Sequence, residues 1–403
     1  MEIIVTWRGH DGRPVPPPAG VAVRTSARRA GTVPGAPHVR RRVPRGAGHR
    51  LVTAPLKSWR PGPVAACAVL AAALAVSAVL AIGFGATAAV PVTDTARYLW
   101  AGVTGGRIGA DEATAYQIVW QIRAPRVLLA ALVGAGLSAM GVAVQALVRN
   151  PLADPFVLGV SSGASVGAVL VTVTGGLAAL GIYAVSAGAF AGALAASLLV
   201  YAAASSRGAL SPLRLILTGV AMALGFQALM SVIVYFAPDG EATSTILFWT
   251  MGGFGAATWG TLPAVAVTVV AGCVLLYRGG RTLDAMALGE ETAASLGVDP
   301  DRHRRVLLVL VSLVTGVMVA VSGAISFVGL VMPHLVRMVV GAVHSRVLAV
   351  APLAGALFMV WVDLASRTLV APRELPLGAI TALIGVPVFV ALMRRRAYVF
   401  GGR

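Results

Sequence analysis

Residues able to do chemistry are scarce in this sequence, and they fall into a few short stretches. One is "LGEETAASLGV", residues 288–298, which places two adjacent carboxylates and small alanines between glycines. The carboxylates offer charge for a partner's basic groups, the alanines can pack in a narrow cleft, and glycine permits a tight turn. Protein recognition is the chemistry that this pattern allows, and a merely solvated connection between apolar segments is the alternative. Its candidate contact residues are Glu290, Glu291, Ala293, Ala294 and Gly297.

A second stretch, "RNPLADP" at residues 149–155, interrupts long aliphatic segments. Its prolines cannot continue a helix, and Asn150 and Asp154 can cap the backbone groups that such a break exposes. The "GVSSGAS" that follows begins a new helix with small polar residues suited to a cavity wall. An ordinary helix-breaking turn is the alternative, since Asn-Pro and Asp-Pro dipeptides often form turns.

Charged residues beside apolar segments are the third group, because their burial in a membrane is costly. Arg123 and Arg126 begin one apolar segment, and Arg367 ends another. Three arginines on one face favour docking of a partner, whereas anchoring to lipid headgroups is the alternative for each alone. Asp363 precedes Arg367 by four residues, so a local ion pair is a further alternative.

We expect no enzyme active site and no cofactor on this chain. The six histidines have no metal-ligand spacing. There is no Ser-His-Asp order, no His-x-x-x-His pair and no cluster of carboxylates inside the apolar segments. The phosphate-binding pattern G-x-x-x-x-G-K-[ST] does not occur either, so an ATP-driven process would need a nucleotide site on another polypeptide.

Apolar helices must position these residues. The 403-residue chain is 58% hydrophobic and only 12% charged, which is typical of a polytopic membrane protein. A transmembrane helix needs about 20 apolar residues. About ten candidates are predicted, the third and eighth short or broken, at 64–86, 125–148, 156–174, 177–204, 213–236, 259–278, 306–326, 328–343, 347–370 and 377–393.

Charge bias predicts the orientation of these helices. Arginines concentrate in alternate connections, and acidic residues in the longer opposite ones, 87–122 and 237–258. The positive-inside rule then predicts that both termini are cytoplasmic. The longest cytoplasmic connection, residues 278–305, is predicted to form two short helices around Gly289 and Gly297 before Asp299 and Pro300 start the next helix.

Residues 1–62 differ from the rest, with twelve Lys or Arg against two acidic residues and many prolines and glycines. This composition predicts a disordered cytoplasmic tail, with contact to anionic membrane lipid as an alternative. Nucleic-acid binding is not expected, since no interleaved aromatic residues accompany the arginines. The predicted transmembrane domain covers residues 63–396, and residues 397–403 form a short C-terminal tail.

Four stretches resemble the FecCD family of ABC-importer permeases for iron-siderophores, haem and cobalamin. They occur in order between residues 64 and 396 and leave the first sixty or so residues unmatched. They are "IRAPRVLLAALVGAGLSAMGVAVQALVRNPLADPFVLGVSSGASVGA", "GEETAASLGV", "SGAISFVGLVMPHLVRMVVG" and "ELPLGAITALIGVPVFVALMRRR".

The resemblance implies an all-α type II importer permease with ten transmembrane helices in the bacterial cytoplasmic membrane. It implies three protein partners: an ATPase subunit dimer, a second permease subunit that is identical or paralogous, and an extracytoplasmic substrate-binding protein. Residues 278–305, hereafter the coupling segment, would contact the ATPase. Asn150 and Leu152 would help to close the cytoplasmic gate. Arg123, Arg126 and Arg367 would dock the binding protein.

The predicted function is import of a ferric siderophore, with haem or cobalamin as alternative cargo within the family. An ion-coupled secondary transporter is the alternative from another class, and it would require an unpaired mid-membrane carboxylate. Asp363 is the one strong candidate, and Arg367 lies beside it.

Overall fold

A computed structural model describes residues 62–85, 90–206, 209–237 and 249–394. The tails predicted at 1–62 and 397–403 lie outside these residues, apart from residue 62. The described α-helices, numbered in chain order, are α1 Pro63–Gly83, α2 Val92–Thr104, α3 Ala113–Gln117, α4 Ala124–Leu147, α5 Val160–Thr174, α6 Ala184–Ala204, α7 Pro212–Tyr235, α8 Leu262–Arg278, α9 Gly280–Ala287, α10 Glu290–Ser295, α11 Pro300–Ser322, α12 Val328–Val340, α13 His344–Thr368 and α14 Leu377–Arg394.

Shorter elements connect these helices. A π-helical turn, Ile118–Arg123, joins α3 to α4, and 3-10 turns occupy Ala110–Glu112, Pro155–Leu158 and Ala178–Tyr183. The two-residue strands β1, Ser205–Ser206, and β2, Ala209–Leu210, pair antiparallel. The described part of the chain is otherwise helical or irregular, which confirms the predicted all-α class.

Six helical segments are long and apolar enough to cross a membrane, and α8 with α9, bent by 56°, makes a possible seventh. Three shorter apolar helices, α5, α12 and α14, complete the set. Together they occupy the ten predicted positions. The predicted third and eighth segments are the short helices α5 and α12, because Gly175 and Gly341 end them in conformations with φ of 65° and 89°.

The core is built around α4, the most deeply buried of the long apolar helices. Its small residues allow direct contact between backbones. A β-carbon on Gly141 would lie 1.9 Å from the Gly329 carbonyl oxygen, and one on Gly134 would lie 2.3 Å from that of Gly355. These glycines therefore let α12 and α13 pack directly against α4.

The predicted outer connection, 87–122, is largely helical in the structure. It contains α2, which buries Thr95, Tyr98 and Ala101 on one face and ends at Gly105. It also contains α3 and the π-helical turn, so the segment predicted to begin at residue 125 begins at Ala113. The sequence prediction missed both features because α2 is amphipathic and too short to span a membrane.

Candidate functional site

The coupling segment folds as predicted, into the two short helices α9 and α10. Gly289 and Gly297 separate them from their neighbours with φ values of 121° and 81°, a backbone region that favours glycine. Asp299 then caps α11, its side chain accepting hydrogen bonds from the N–H groups of Asp301 and Arg302 at 3.1 Å. Two glycine turns and one cap thus hold α10 apart from the apolar helices.

Two leucines on the coupling segment face solvent. Leu288, two residues before α10, and Leu296, directly after it, are 70% and 63% exposed. Ala293, between them in the chain, is fully buried, whereas Ala294 is exposed. The buried alanine attaches α10 to the fold, and the exposed leucines leave apolar surface for a partner.

Glu290 forms ion pairs within the chain. Its Oε1 accepts a hydrogen bond from the Arg304 guanidinium, and Nη2 of Arg149 lies 3.5 Å from the same oxygen. The hydrogen bond from Arg304 holds the pKa of Glu290 below its usual value. The sequence predicted that Glu290 and Glu291 would pair with a partner's basic groups. Glu290 instead has arginines of its own chain, whereas exposed Glu291 has no ion pair among the described residues.

Asp284 ties the other short helix, α9, to the membrane-spanning part. Its Oδ1 accepts a hydrogen bond from the backbone N–H of His344 at 3.0 Å and lies 2.7 Å from Nδ1 of the same histidine. Asp284 therefore caps α13 from a distant part of the chain. Through Asp284 the coupling segment contacts α13, and through Glu290 it contacts Arg149, two residues beyond the end of α4.

The loop predicted at the cytoplasmic mouth, residues 150–155, is part of a longer non-α-helical stretch, residues 149–159 and hereafter the gate loop, which begins at Arg149 with φ of 50°. Asn150 Oδ1 accepts a hydrogen bond from the N–H of Leu152 at 2.9 Å. Asp154 Oδ1 accepts one from the N–H of Phe156 at 3.0 Å. These bonds confirm the predicted capping roles of Asn150 and Asp154. Leu152 is half-buried, and gating by Asn150 and Leu152 stays a prediction.

Two neighbouring cavities adjoin the gate loop. One, of about 310 Å³, is lined by Asp154, Val157 and Phe327 among others. The second, of about 230 Å³, shares Phe156 and Gln227 with the first. The serines of the "GVSSGAS" stretch, predicted to face a cavity, line the second one: Ser161, Ser162 and Ser165. The start of α5 therefore presents hydroxyl groups to open space.

The three arginines predicted to project toward a binding protein are all buried. Nε of Arg126 lies 2.7 Å from Asp363 Oδ1, and its two terminal nitrogens donate to both Glu374 oxygens at 2.7 and 2.9 Å. Nε of Arg367 lies 3.1 Å from Asp363 Oδ2, which confirms the predicted i, i+4 ion pair. We call this group, with Arg123, the arginine cluster.

The arginine cluster also holds the end of α1. Arg123 donates to the Gly83 carbonyl at 2.8 Å and to that of Ile82 at 3.3 Å. Arg367 donates to the carbonyls of Ala81 and Phe84 at 2.8 and 3.2 Å. The last carbonyls of a helix lack partners within it, and arginine suits that negative end of the helix dipole. The three arginine side chains are buried, and their N–H groups donate to partners within the chain. Docking of a binding protein by these arginines stays a prediction.

Comparison with known proteins identifies the family. The model of the FecCD transport family matches residues 66–395. The chain belongs to the FecCD family. It is 41% identical to an uncharacterized ABC transporter permease protein of Bacillus subtilis, over 80% of this chain and 91% of the relative. It is 42% identical to a cobalamin import system permease protein of Halobacterium salinarum, over 70% and 75% of the two chains.

Two further FecCD-type comparisons agree. A hemin transport system permease protein of Yersinia pestis is 41% identical, over 69% of this chain and 84% of that one. A solved structure described as an inward-facing metal-chelate type ABC transporter superposes with a TM-score of 0.69 at 31% identity, over 83% of this chain and all of the other. The chain is therefore a multi-pass ABC importer permease, and the resemblance predicted from its motifs is confirmed.

Sequence reasoning missed the side-chain partners inside this FecCD chain. In the sequence, Arg149 and Arg304 contribute only to the positive charge of the predicted cytoplasmic connections, and Glu374 has no predicted role. The pairs Glu290–Arg149 and Asp284–His344 join residues far apart in the chain, and no local spacing predicts them. Only Asp363 with Arg367 carried a sequence signal, because both lie on one helix turn.

Proposed function

We propose that this FecCD permease works in an ATP-driven importer whose ATPase is a separate polypeptide dimer seated on the coupling segment. The observation that carries the proposal is the exposed pair Leu288 and Leu296 on either side of α10. Burial of each leucine by a partner would contribute about 1.5–3 kcal/mol. A short helix supported from inside by buried Ala293 can present these leucines without collapsing onto the apolar helices.

Other residues of the segment have distinct proposed roles. Exposed Glu291 and Ala294 lie on α10 and are available for direct contact with the ATPase. Gly297 provides the turn after α10, and Glu290 orients the helix through its arginines. The chain's one lysine, Lys57, follows leucine and not glycine, so a phosphate-binding loop of the P-loop type is absent from the sequence.

The proposed cargo is a metal chelate, with a ferric siderophore as our specific prediction. Relatives named for cobalamin and hemin, and a solved structure described as metal-chelate type, support the broader class. They also favour cobalamin or haem as a second candidate. In all three compounds an organic ligand surrounds the metal, so recognition can use hydrogen bonds to the ligand and needs no protein ligand to the metal.

The proposed pathway runs beside the serines at the start of α5 and ends at the gate loop, where Asn150 and Leu152 would close it on the cytoplasmic side. A second permease subunit, identical or paralogous, would supply the opposite wall. The basic bias of the connections supports an orientation with both termini in the cytoplasm of a bacterial cell.

Delivery by an extracytoplasmic binding protein is also proposed. Because Arg123, Arg126 and Arg367 are buried, their contribution to docking would come from holding the end of α1 and Glu374 in place. Exposed Arg373, adjacent to Glu374, has no ion pair among the described residues and offers positive charge directly.

Proteoliposomes that contain the permease, its ATPase and the binding protein would test this function. Leu288→Glu with Leu296→Glu should lower ATPase association at least about tenfold, since two buried apolar contacts would be replaced by charge. Co-purification and ATP-dependent uptake would measure association and transport. The matched control is Leu288→Met with Leu296→Met, which keeps apolar surface and should behave as wild type.

The same vesicles distinguish the cargoes. Ferrioxamine B, haemin and cyanocobalamin would be offered separately, with ATP and without it. Uptake of ferrioxamine B alone would support a siderophore as the cargo. Uptake of haemin or cyanocobalamin would identify that compound as the cargo in place of the siderophore. If the glutamate variant binds the ATPase as wild type does, the coupling segment is not the contact and the proposed mechanism is wrong.

A further inference from the structure

The coupling segment and the gate loop meet at one ion pair, between Glu290 and Arg149. Glu290 Oε1 lies 3.5 Å from Arg149 Nη2, and the two side chains are 49% and 33% exposed. The same oxygen accepts a hydrogen bond from Arg304, whose side chain is only 4% exposed. One carboxylate thus has a buried, hydrogen-bonded partner on α11 and a looser, partly solvated partner at the start of the gate loop.

These two contacts differ in how easily they break. A longer pair between partly exposed groups is typically worth about 0.2–1 kcal/mol. A charge-assisted hydrogen bond to a buried arginine is stronger, since breaking it strands a charge away from water. If α10 moved, we would therefore expect Glu290 to keep its contact with Arg304 and to lose the one with Arg149 first.

The backbone at Arg149 is under strain. Its φ of 50° lies in the left-handed region, which costs a non-glycine residue about 1–2 kcal/mol. The turn is closed by hydrogen bonds from the N–H of Asn150 to the Gln145 carbonyl at 3.1 Å and from the N–H of Ala153 to the Asn150 carbonyl at 3.1 Å. Such strain persists only where surrounding contacts fix it, and it is concentrated at functional sites.

A displacement of Arg149 would pass directly to the gate. Asn150 follows Arg149 in the chain, and its side chain accepts a hydrogen bond from the N–H of Leu152, so the peptide bond from Arg149 and this one hydrogen bond connect Arg149 to Leu152. We propose that Arg149 is a positioning residue of the transport cycle: its ion pair with Glu290 links movement of α10 to the position of Leu152. The inference rests on the proposed function of the coupling segment and the gate loop.

The test reads the gate without requiring the cargo to be known. Leu152→Cys would be introduced with Cys67→Ala and Cys273→Ala, and labelling by a membrane-impermeant maleimide would be followed in the complex with the ATPase. ATP plus vanadate should change the labelling rate about fivefold when Arg149 is present, as expected for a link worth about 1 kcal/mol. With Arg149→Asn, the change should fall below about twofold, because Asn tolerates the left-handed backbone but carries no charge.

Three companion variants make the outcome decisive. Arg149→Lys keeps the charge and should restore the response, and Glu290→Gln should reproduce the loss caused by Arg149→Asn. Arg346→Asn, at an exposed arginine near the start of α13 and outside the coupling segment, with no ion pair among the described residues, should respond as the parent does. The inference would be overturned if the labelling rate of Arg149→Asn changed on addition of ATP as much as that of the parent. It would also be overturned if the parent were labelled at the same rate with and without ATP.

The outcomes also separate this inference from the proposed function. If the parent responds to ATP and Arg149→Asn responds equally, the coupling segment still works and only the role of Arg149 is rejected. If the parent gives no response and the Leu288 and Leu296 glutamate variant still binds the ATPase, both proposals are rejected.

Discussion

The arginine cluster and the coupling segment both contain ion pairs between arginines and carboxylates, but these pairs differ in burial. In the cluster, Asp363 is fully buried between two arginines that are themselves buried. In the coupling segment, Glu290 is half-exposed, and one of its two arginines is partly solvated. Burial makes an ion pair costly to break, because each partner left alone is a charge without water. The cluster therefore fixes structure, whereas the ion pair between Glu290 and Arg149 can be exchanged.

The first prediction concerns the arginine cluster, where a substitution should have the largest effect on stability. Asp363→Ala leaves Arg126 and Arg367 with one carboxylate fewer and should lower the free energy of unfolding by about 3–5 kcal/mol. Thermal unfolding in detergent would measure the loss. Asp111→Ala, at an exposed site, should leave the melting temperature nearly unchanged. Equal melting of the two variants would show that the cluster does not stabilise the fold.

The second prediction concerns Glu374, the partly exposed partner of Arg126, and its expected effect on stability is smaller. The hydrogen bond from Arg126 holds the pKa of Glu374 below its usual value of 4.5. The stability that this pair contributes is therefore complete above about pH 4.5 and is lost as the pH falls through the lower folded-state pKa. Glu374→Gln should cost about 1–2 kcal/mol at pH 7, since half of the Glu374 side chain is in solvent.

Melting curves at pH 7 and pH 3 would check the sign. The difference between wild type and Glu374→Gln should shrink at the lower pH, where the wild-type carboxylate also loses its charge. A difference that grows on acidification would contradict the pairing with Arg126.

The third prediction concerns the exchangeable side and has the smallest effect on stability. Glu290→Gln should lower the free energy of unfolding by only about 1 kcal/mol, because Glu290 is half-exposed and Asp301 also lies near Arg304, at 3.7 Å. Thermal unfolding of this variant beside Asp363→Ala would measure the contrast directly. A loss as large as that of Asp363→Ala would mean that Glu290, too, is a fixed structural element.

The sequence predicted the parts of this molecule that depend on local pattern. Apolar length located the ten segments, glycine and Asp299 bounded the short helices of the coupling segment, and Asn150 and Asp154 were identified as caps. Each of these depends on neighbours within a few residues. The family resemblance followed from motifs long enough to be specific.

Tertiary packing decided what the sequence did not predict. Arg126 pairs with Asp363, 237 positions away, and Arg123 reaches carbonyls 40 and 41 residues earlier in the chain. An arginine at a helix end looks exposed in a linear pattern, whereas the folded chain brings buried acceptors to it. Glu290 likewise looked available to a partner until Arg149 and Arg304 were seen beside it. Propensity and spacing contain no information about such pairs.

The glycine contact between α4 and α12 has a consequence for where the molecule can change shape. Because Gly141 and Gly329 touch through backbone atoms, no side chain lies between them that can adopt another rotamer. A residue with a β-carbon at either position would force the helices apart. We therefore expect the two helices to move together, and Pro155, whose ring lies against Gly329, connects the far half of the gate loop to them. If the gate loop moves as proposed, the residues from Arg149 to Asp154 are the part that this contact leaves unattached, and we expect them to act as a short hinge.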